Sequence, residues 1–240
     1  MRIFCFSDTH IGSAGGLIRP GFEFEDTKFS SQIGNKIWRF FKKTLEKEKD
    51  KIDIIVFAGD LLHGIPKEPL HSHEVLLPSL EAQRAAALYS LGEILPNNVM
   101  KIACTGSHYH DAEEYPLEAQ TLKEMGFRVV DQFKSIQIGH TFINLAHSKG
   151  SREQLAPFLE KTVKMLHNMG NWPQIIIRGH YHRFCALRFP DCIAISLPAL
   201  EDSAKRYSLR VSAFPFNADI GIVIIDTDND YAIKYYKFEK

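Results

Sequence analysis

The segment from Ile52 to Asp60 reads IDIIVFAGD, and its pattern decides the fold that we expect for the whole chain. Its apolar core is nearly continuous and rich in β-branched residues, which is typical of a strand covered on both faces. The strand stops at Ala58-Gly59 and is followed by the carboxylate of Asp60. Open α/β sheets bind their ligands beyond the carboxyl ends of the strands. Taken alone, a Gly-Asp pair is better explained as the cap of a turn or helix, and only similar residues elsewhere in the chain change that interpretation.

The composition is that of a globular protein without excess charge. The 240 residues are 45% hydrophobic and 24% charged, with 29 Lys and Arg residues against 29 Asp and Glu residues. A net charge of zero excludes a bulk positive field for nucleic acid, so a polyanion would have to bind at a local patch. The sequence shows no internal repeat and no linker, and we therefore expect one domain over residues 1–240.

Several features of the sequence favour a cytoplasmic protein. The four cysteines form no C-x-x-C pair and are expected to be reduced, buried thiols. The chain opens directly with a strand pattern, so we expect no signal peptide. No apolar run approaches the roughly 20 residues of a membrane span, and no membrane partner is expected.

Several other segments with a β-strand pattern end, like the segment 52–60, in a side chain that can bind a metal ion. Each is followed by histidine or aspartate beside glycine or another small residue. The residues at these strand ends are Asp8, His10, Asp60, His108, His110, His147, His180 and His182. Packing in a core is the ordinary explanation for one such histidine, but it does not explain the whole set. Imidazole together with carboxylate suits zinc, iron, manganese or nickel better than magnesium or calcium.

The order of these motifs resembles the calcineurin-like metallophosphoesterase superfamily. The matching segments are SDTH at 7–10, AGDLLH at 58–63, GSH at 106–108, AH at 146–147 and GHYH at 179–182. The resemblance implies an α/β fold of the four-layer αββα sandwich type, with the site at the strand ends. It also implies two divalent metal ions about 3.5–4 Å apart. Manganese is the expected metal, with iron, zinc and nickel as alternatives.

The resemblance also implies a role for each matching residue. The implied ligands of the first ion are Asp8, His10 and His182, and those of the second ion are His147 and His180. Asp60 would bridge the two ions, because a carboxylate offers two oxygens to two cations and cancels part of their mutual repulsion. A water activated by the metals would then attack phosphorus in line.

The third motif departs from the superfamily pattern. The family usually reads Gly-Asn-His followed by an acid, whereas this chain has Ser107 in place of the asparagine and Tyr109 in place of the acid. A serine hydroxyl is a shorter and poorer metal ligand. Either His110 supplies the missing ligand while His108 is the general acid, or His110 is catalytic and His108 is structural. We favour His110 as a ligand, because the variant resembles a phage-associated branch of the superfamily in which the later histidine is retained.

The substrate class is indicated by a further resemblance. The segments FSDTHIG and AGDLLH also look like the SbcCD-type DNA repair nucleases, which favours a phosphodiester in DNA or RNA. Candidate substrate contacts are Arg183, Lys205, Arg206 and Tyr207, since cations can contact phosphates and an aromatic ring can stack on a base. An ordinary amphipathic connection explains the same residues equally well.

Three more histidines leave alternatives open. His63 can support the site from outside the ligand set. His71 and His73 either contact metal or substrate or, as we favour, are surface histidines.

The expected function is a dinuclear metal-dependent phosphoesterase, with a phosphodiesterase or nuclease favoured. One alternative is a phosphomonoesterase or nucleotide phosphatase. Another is a metal-binding docking module in which the altered third motif has weakened catalysis.

Overall fold

A computed structural model of the chain describes residues 1–65, 74–107, 116–147, 154–202 and 218–239. In these ranges the strands are β1 (Arg2–Phe6), β2 (Glu23–Phe24), β3 (Thr27–Lys28), β4 (Ile54–Ala58), β5 (Met100–Cys104), β6 (Arg128–Val129), β7 (Ser135–Ile138), β8 (Thr141–His147), β9 (Ile175–Gly179), β10 (Cys185–Arg188), β11 (Ile193–Ser196), β12 (Gly221–Asp226) and β13 (Ala232–Lys237). The helices are α1 (Gln32–Glu48), α2 (Leu80–Ala87), α3 (Leu117–Glu124) and α4 (Leu155–Asn168).

Two large sheets are built from these strands. The first has the order β13-β12-β1-β4-β5-β6, in which β1, β4, β5 and β6 run parallel and β12 is antiparallel to both of its neighbours. The second has the order β10-β11-β9-β8-β7, in which β11, β9 and β8 run parallel and the two outer strands are antiparallel. The central strands of both sheets are thus parallel and are covered on both faces, and in the first sheet the parallel strands extend to β6 at one edge.

Three apolar cores separate four layers of secondary structure. In β4, Ile55 and Phe57 face the core beneath α1, α2 and α3, whereas Val56 faces the core between the two sheets. In β9, Ile177 faces the first sheet and Ile176 faces α4. This alternation follows from the two-residue period of a strand. The prediction of an α/β, four-layer αββα sandwich is confirmed.

The segment from Ile52 to Asp60 behaves as its pattern indicates. The strand β4 is buried along its whole length and lies between β1 and β5 in the first sheet. Its carboxyl end is directed toward the second sheet, because the carbonyl of Ala58 accepts a hydrogen bond from Nδ1 of His147 at the end of β8 (2.7 Å). The strand ends of the two sheets therefore meet at one edge of the sandwich.

Two local predictions need correction. Residues 13–30 are rich in glycine and phenylalanine without a clear period, which predicts a loop, but they contain the hairpin of β2 and β3, whose two-residue strands are too short to produce a hydrophobic period. The alanine-rich segment from Leu80 to Leu95, which ends before Pro96, predicts a helix, but it is α-helical only as far as Ala87 and continues as a π-helix over Leu88–Gly92. The spacing of apolar residues does not distinguish these two hydrogen-bonding patterns over so short a segment.

The cysteines form no disulfide bond. Cys5, Cys104 and Cys192 are buried, and burial raises the pKa of the Cys192 thiol to about 11. Buried thiols of this kind behave as small apolar side chains.

No helix within the described ranges combines the length and the apolar character needed to cross a membrane.

A buried carboxylate at the end of α1 ties the helix layer to the first sheet. Glu48 is 4% exposed and accepts hydrogen bonds from Arg2 (3.2 Å), Lys234 (3.1 Å) and the hydroxyl of Tyr236. Burial alone would raise the pKa of Glu48, but the hydrogen bonds from Tyr236 and Lys234 outweigh it and hold that pKa below its ordinary value of 4.5.

We expect Glu48→Gln to lower the free energy of unfolding by about 1–3 kcal/mol at neutral pH, since hydrogen bonds to a charged group are lost. As pH falls below about 4.5, the unfolded wild-type chain takes up a proton before the folded one does, so its advantage over the variant shrinks. Urea unfolding at pH 7 and pH 3.5 measures both effects. A difference between the two proteins that does not shrink in acid would contradict the assignment.

Candidate metal centre

The first group of ligand-type side chains lies at the ends of β1 and β9. Asp8 and His10 follow β1, and His182 follows β9. The Nε2 atom of His182 lies 3.2 Å from Oδ1 of Asp8 and 3.2 Å from Nε2 of His10. One ligand atom from each of the three residues lies within 4.8 Å of the others, so a single cation can contact all three.

A second group lies at the ends of β4, β8 and β9. Asp60 follows β4, His147 ends β8, and His180 follows β9. The Nε2 atom of His147 lies 3.0 Å from Oδ2 of Asp60 and 3.3 Å from Nδ1 of His180. These three residues also offer ligand atoms within 4.8 Å of one another.

Asp60 connects the two groups. Its Oδ2 atom lies 3.0 Å from Nε2 of His147 in the second group and 3.8 Å from Nε2 of His10 in the first. Its Oδ1 atom accepts hydrogen bonds from the backbone N–H (2.7 Å) and the hydroxyl (3.2 Å) of Ser107. Oδ2 is thus directed between the two sets of imidazoles while Oδ1 is held by the loop after β5.

The backbone of the site is strained. Five of the six residues in the two groups have a positive φ, namely Asp8 (51°), His10 (41°), Asp60 (56°), His180 (93°) and His182 (53°). A left-handed conformation costs a residue other than glycine about 1–3 kcal/mol and persists only where the surrounding structure imposes it. Such residues cluster at functional sites, where the conformation directs a side chain that regular structure would place elsewhere.

Close approach of the loops requires glycine at two positions. A Cβ atom on Gly59, which has a φ of +86°, would lie 2.7 Å from Nδ1 of His147 and 2.8 Å from Cα of Gly106. A Cβ atom on Gly179 would lie 2.1 Å from the carbonyl oxygen of Ala58. Gly59 and Gly179, which directly precede Asp60 and His180, therefore allow the strand ends of the two sheets to come together.

Backbone groups orient two of the ligand-type side chains. The hydrogen bond from Nδ1 of His147 to the carbonyl of Ala58 leaves Nε2 directed toward Asp60. The backbone N–H of His180 lies 3.1 Å from both carboxylate oxygens of Asp8. Partners of this kind set the tautomer and the direction of a metal-binding imidazole.

The charges of the site depend on one another. Burial alone would lower the pKa of His147, but the charge of Asp60 outweighs it and raises that pKa to about 10. Burial alone would raise the pKa of Asp8, but the charge of His182 holds it below its ordinary value. Burial and the charge of His147 lower the pKa of His180, which favours its neutral form. A divalent ion would therefore replace protons that the carboxylates otherwise hold on the imidazoles.

The donor atoms fit transition-metal ions. Each group combines one carboxylate with two imidazoles, and all the residues are buried or nearly so. Mixed imidazole and carboxylate donors suit manganese, iron, zinc or nickel. A closed structural zinc site rich in cysteine is not what these residues form.

The third motif is only partly described. Ser107 lies where the superfamily pattern has an asparagine, and its N–H and hydroxyl both contact Asp60. His108 and His110, to which the sequence assigns a catalytic or ligand role, lie outside the described residues. His71 and His73 also lie outside them.

Of the four residues predicted to contact the substrate, one lies within the described ranges. Arg183 is exposed and directly follows His182 of the first group, so it borders the site. Lys205, Arg206 and Tyr207 fall outside the described residues.

Sequence reasoning missed a buried glutamate behind Asp60. Glu118 on α3 accepts hydrogen bonds from the backbone N–H of Leu61 (2.9 Å) and of Gly106 (3.0 Å), which joins the loops after β4 and β5. Burial, followed by the charge of Asp60, raises the pKa of Glu118 to about 8. The sequence feature that could have indicated the burial of Glu118 is its spacing from Thr121 and Leu122, which places all three on the buried face of α3.

A second missed residue is Glu201, which is fully buried beside the first group. Its carboxylate forms a third set of ligand-type atoms with His10 and His63. The sequence feature that could have indicated Glu201 is the one that indicated the other site residues. It is an acid directly after an apolar run, here Leu197 to Leu200.

Comparisons with known proteins bear on the fold. No family model matches the sequence, and no curated protein matches it. Among solved structures, an archaeal phosphodiesterase has a TM-score of 0.55 at 15% identity, covering 99% of this chain and 100% of that one. A conserved Streptococcus pneumoniae protein, described as a predicted phosphoesterase, has a TM-score of 0.42 at 13% identity, covering 99% and 97% of the two chains. Zinc-complexed Vps29 from Entamoeba histolytica has a TM-score of 0.42 at 14% identity, covering 99% and 98%. This chain therefore has the fold of the archaeal phosphodiesterase over nearly its whole length.

Proposed function

We propose that this protein is a phosphoesterase that depends on two divalent metal ions, with manganese as the expected metal. The observation that carries the proposal is that one carboxylate, that of Asp60, connects the two groups of ligand-type side chains. The residues of the groups are Asp8, His10 and His182 in the first and Asp60, His147 and His180 in the second. Oδ2 of Asp60 lies within 3.8 Å of an imidazole nitrogen from each group. The motif resemblance to the calcineurin-like metallophosphoesterases supports the same function.

The side chains of the site have separate tasks in the proposed reaction. Two bound divalent ions would lower the pKa of a water and stabilise negative charge on the phosphate oxygens. Oδ2 of Asp60 lies between the two groups and would set their separation, while Oδ1 is held by the backbone N–H of Ser107. The hydrogen bond from His147 to Ala58 holds that imidazole toward Asp60. We assign His108 the general-acid role and His110 a place in the second group.

A phosphodiester, in DNA or RNA, is the substrate class that we favour. The similarity in fold to an archaeal phosphodiesterase over 99% of this chain supports a diester. The resemblance of two motifs to the SbcCD-type nucleases supports nucleic acid. Arg183, exposed beside His182, would contact a phosphate of the substrate, and we assign the same role to Lys205, Arg206 and Tyr207.

We expect protein stripped with a chelator to take up two Mn²⁺ ions per chain when the metal is restored. The reloaded protein is expected to hydrolyse a bis-aryl phosphate faster than the mono-aryl phosphate, and the stripped protein to hydrolyse neither. Elemental analysis after dialysis and a colorimetric assay measure these quantities. No metal uptake, or hydrolysis that survives chelation, would contradict the proposal, while preference for the monoester would reassign the protein to the phosphomonoesterases or nucleotide phosphatases.

One observation favours a second candidate function. The hydroxyl of Ser107 is engaged with Oδ1 of Asp60 at 3.2 Å and is a poor substitute for an amide ligand. If no histidine replaces that ligand, the fold would serve as a metal-binding docking module with weakened catalysis. This candidate requires one or no ion per chain in the same elemental analysis, together with no turnover of either ester.

A further inference from the structure

A further cluster of ligand-type side chains lies between α4 and the second sheet. His167 is in the last turn of α4, and Asp191 and Cys192 directly precede β11. Cys192 belongs to the apolar core that α4 forms with this sheet, so its side chain faces the helix. One ligand atom from each of the three residues lies within 4.8 Å of the others. We call these three residues the outer cluster.

The outer cluster lies at the opposite end of the second sheet from the candidate metal centre. The strand β11 runs parallel to β9, with Ile193 beside Ile175 at the amino ends of both strands. Cys192 precedes that end, whereas His180 of the metal centre follows the carboxyl end of β9. The strand between them has five residues, which span about 16 Å at roughly 3.3 Å per residue. An ion bound by the outer cluster would therefore share no ligand with the other two groups.

The imidazole of His167 is held in place but lacks a hydrogen bond. Trp172 stacks on it, with ring centroids 4.0 Å apart and an angle of 25° between the planes. Its Nε2 atom is shielded from solvent and has no hydrogen-bond partner in the part of the chain that the structure describes. That atom lies 3.7 Å from Oδ2 of Asp191, which is too long for a hydrogen bond. Because a buried nitrogen without a partner is costly, an ion contacting both atoms at about 2.0–2.2 Å would stabilise the arrangement.

The charges of the outer cluster match those of a divalent ion. The carboxylate of Asp191 and a thiolate at Cys192 carry two negative charges, and a neutral imidazole adds none. Cys192 forms no disulfide bond, and burial raises the pKa of its thiol to about 11, so it is protonated without an ion. Binding to a divalent metal ion removes the proton from a thiol. The negative end of the α4 dipole, where His167 lies, also favours a cation.

We propose that His167, Asp191 and Cys192 bind one Zn²⁺ ion. Nitrogen, oxygen and thiolate sulfur are the ligands of tetrahedral zinc, and a thiolate favours zinc over manganese. Three protein ligands leave the fourth position for a water. The ion would fasten the carboxyl end of α4 to the turn between β10 and β11. The inference is independent of the proposed phosphoesterase function, because the outer cluster has no residue in common with the two groups of the metal centre.

The test is a titration of the full chain, stripped with a chelator and kept free of air, with Co²⁺. This ion occupies zinc sites and gives a charge-transfer absorption in the near ultraviolet when a thiolate binds it. Wild-type protein is expected to show that absorption for one ion per chain and to lose it when Zn²⁺ is added. The two groups of the metal centre contain no cysteine, so Co²⁺ bound there does not contribute to the signal.

Two variants and a matched control locate the site. Cys192→Ser should abolish the thiolate absorption, whereas Cys185→Ser, which makes the same change on the neighbouring strand β10, should keep it. Asp191→Asn alters an exposed side chain and is expected to fold. It should bind the absorbing Co²⁺ ion at least about 10-fold more weakly, because removing groups that only support a ligand already costs roughly 10–100-fold.

The outcomes decide for or against the outer cluster. No thiolate absorption in the wild type, or absorption that remains in Cys192→Ser, would overturn the proposal, and so would unchanged affinity in Asp191→Asn. Should Cys192→Ser fail to fold by circular dichroism, the titration of Asp191→Asn decides. Both variants are expected to keep Mn²⁺-dependent turnover of a bis-aryl phosphate. Loss of turnover in a folded variant would contradict the independence of this ion from the metal centre.

Discussion

Replacing Asp60 with asparagine is expected to lower the turnover of a bis-aryl phosphate by at least about 100-fold without unfolding the chain. Removing groups that only support a metal ligand already costs roughly 10–100-fold, so losing the shared carboxylate should cost more. The amide keeps the shape of the side chain and can still accept the hydrogen bond from Ser107 through its oxygen. It carries no charge, however, and places a nitrogen where Oδ2 lies between His10 and His147. Steady-state kinetics with excess Mn²⁺ measures the effect.

Asp53→Asn provides the matched control for this substitution. Asp53 precedes β4 at the opposite end from Asp60, is exposed, and accepts a hydrogen bond from the backbone N–H of Arg2 (2.7 Å). The same chemical change there should leave turnover within about twofold of the wild type. Full Mn²⁺-dependent turnover in Asp60→Asn would remove Asp60 from the reaction, and with it the proposed two-ion site.

The second large effect is expected from Gly106→Ala. A Cβ atom at this position would lie 1.9 Å from Oδ1 and 2.3 Å from the backbone nitrogen of Asp60. No rotamer change relieves a clash with backbone atoms, so the loop after β5 must move away from the loop after β4. Overpacking of this kind typically costs about 1–3 kcal/mol. Because the displaced group is the shared carboxylate, we also expect turnover to fall nearly as far as in Asp60→Asn.

Gly92→Ala is the control for added volume. Its Cβ atom would lie 3.4 Å from Cγ of Met125 and at least 3.8 Å from Leu88, so only a small shift of the flexible Met125 side chain is needed, and the residue lies in a helical segment. Alanine should leave the stability there unchanged or slightly increased, because glycine is the poorer helix former. Urea unfolding and kinetics should be run on both variants. A Gly106→Ala protein with wild-type stability and turnover would show that the two loops are not held as closely as the structure describes.

The strands, and the place of the candidate site at their ends, could be predicted because both depend on local patterns. The run of β-branched residues before Gly59 predicts a buried strand wherever its neighbours lie. The acids and histidines at 8, 10, 60, 147, 180 and 182 each lie at the end of a largely apolar strand or directly after one, and parallel strands bring their carboxyl ends to one edge. The four-layer arrangement came from the motif resemblance, and the three cores agree with it.

Other features depend on contacts between residues far apart in sequence. Glu118 lies on a helix whose pattern is ordinary, and only the packing of α3 brings it to the backbone of Leu61 and Gly106. The hairpin in residues 13–30 and the π-helix after α2 depend on hydrogen bonding that apolar spacing does not reveal.

The chain's own pattern was enough to predict which side chains stand at strand ends and what kind of cation they suit, because strand formation and ligand chemistry are properties of short segments. Their grouping into two sets around Asp60, and the presence of Glu201 beside only one of them, came from the approach of two sheets and a crossing loop. Those distances depend on how close glycine allows the backbones to come and on the left-handed turns that direct each side chain, and neither can be read from one segment alone.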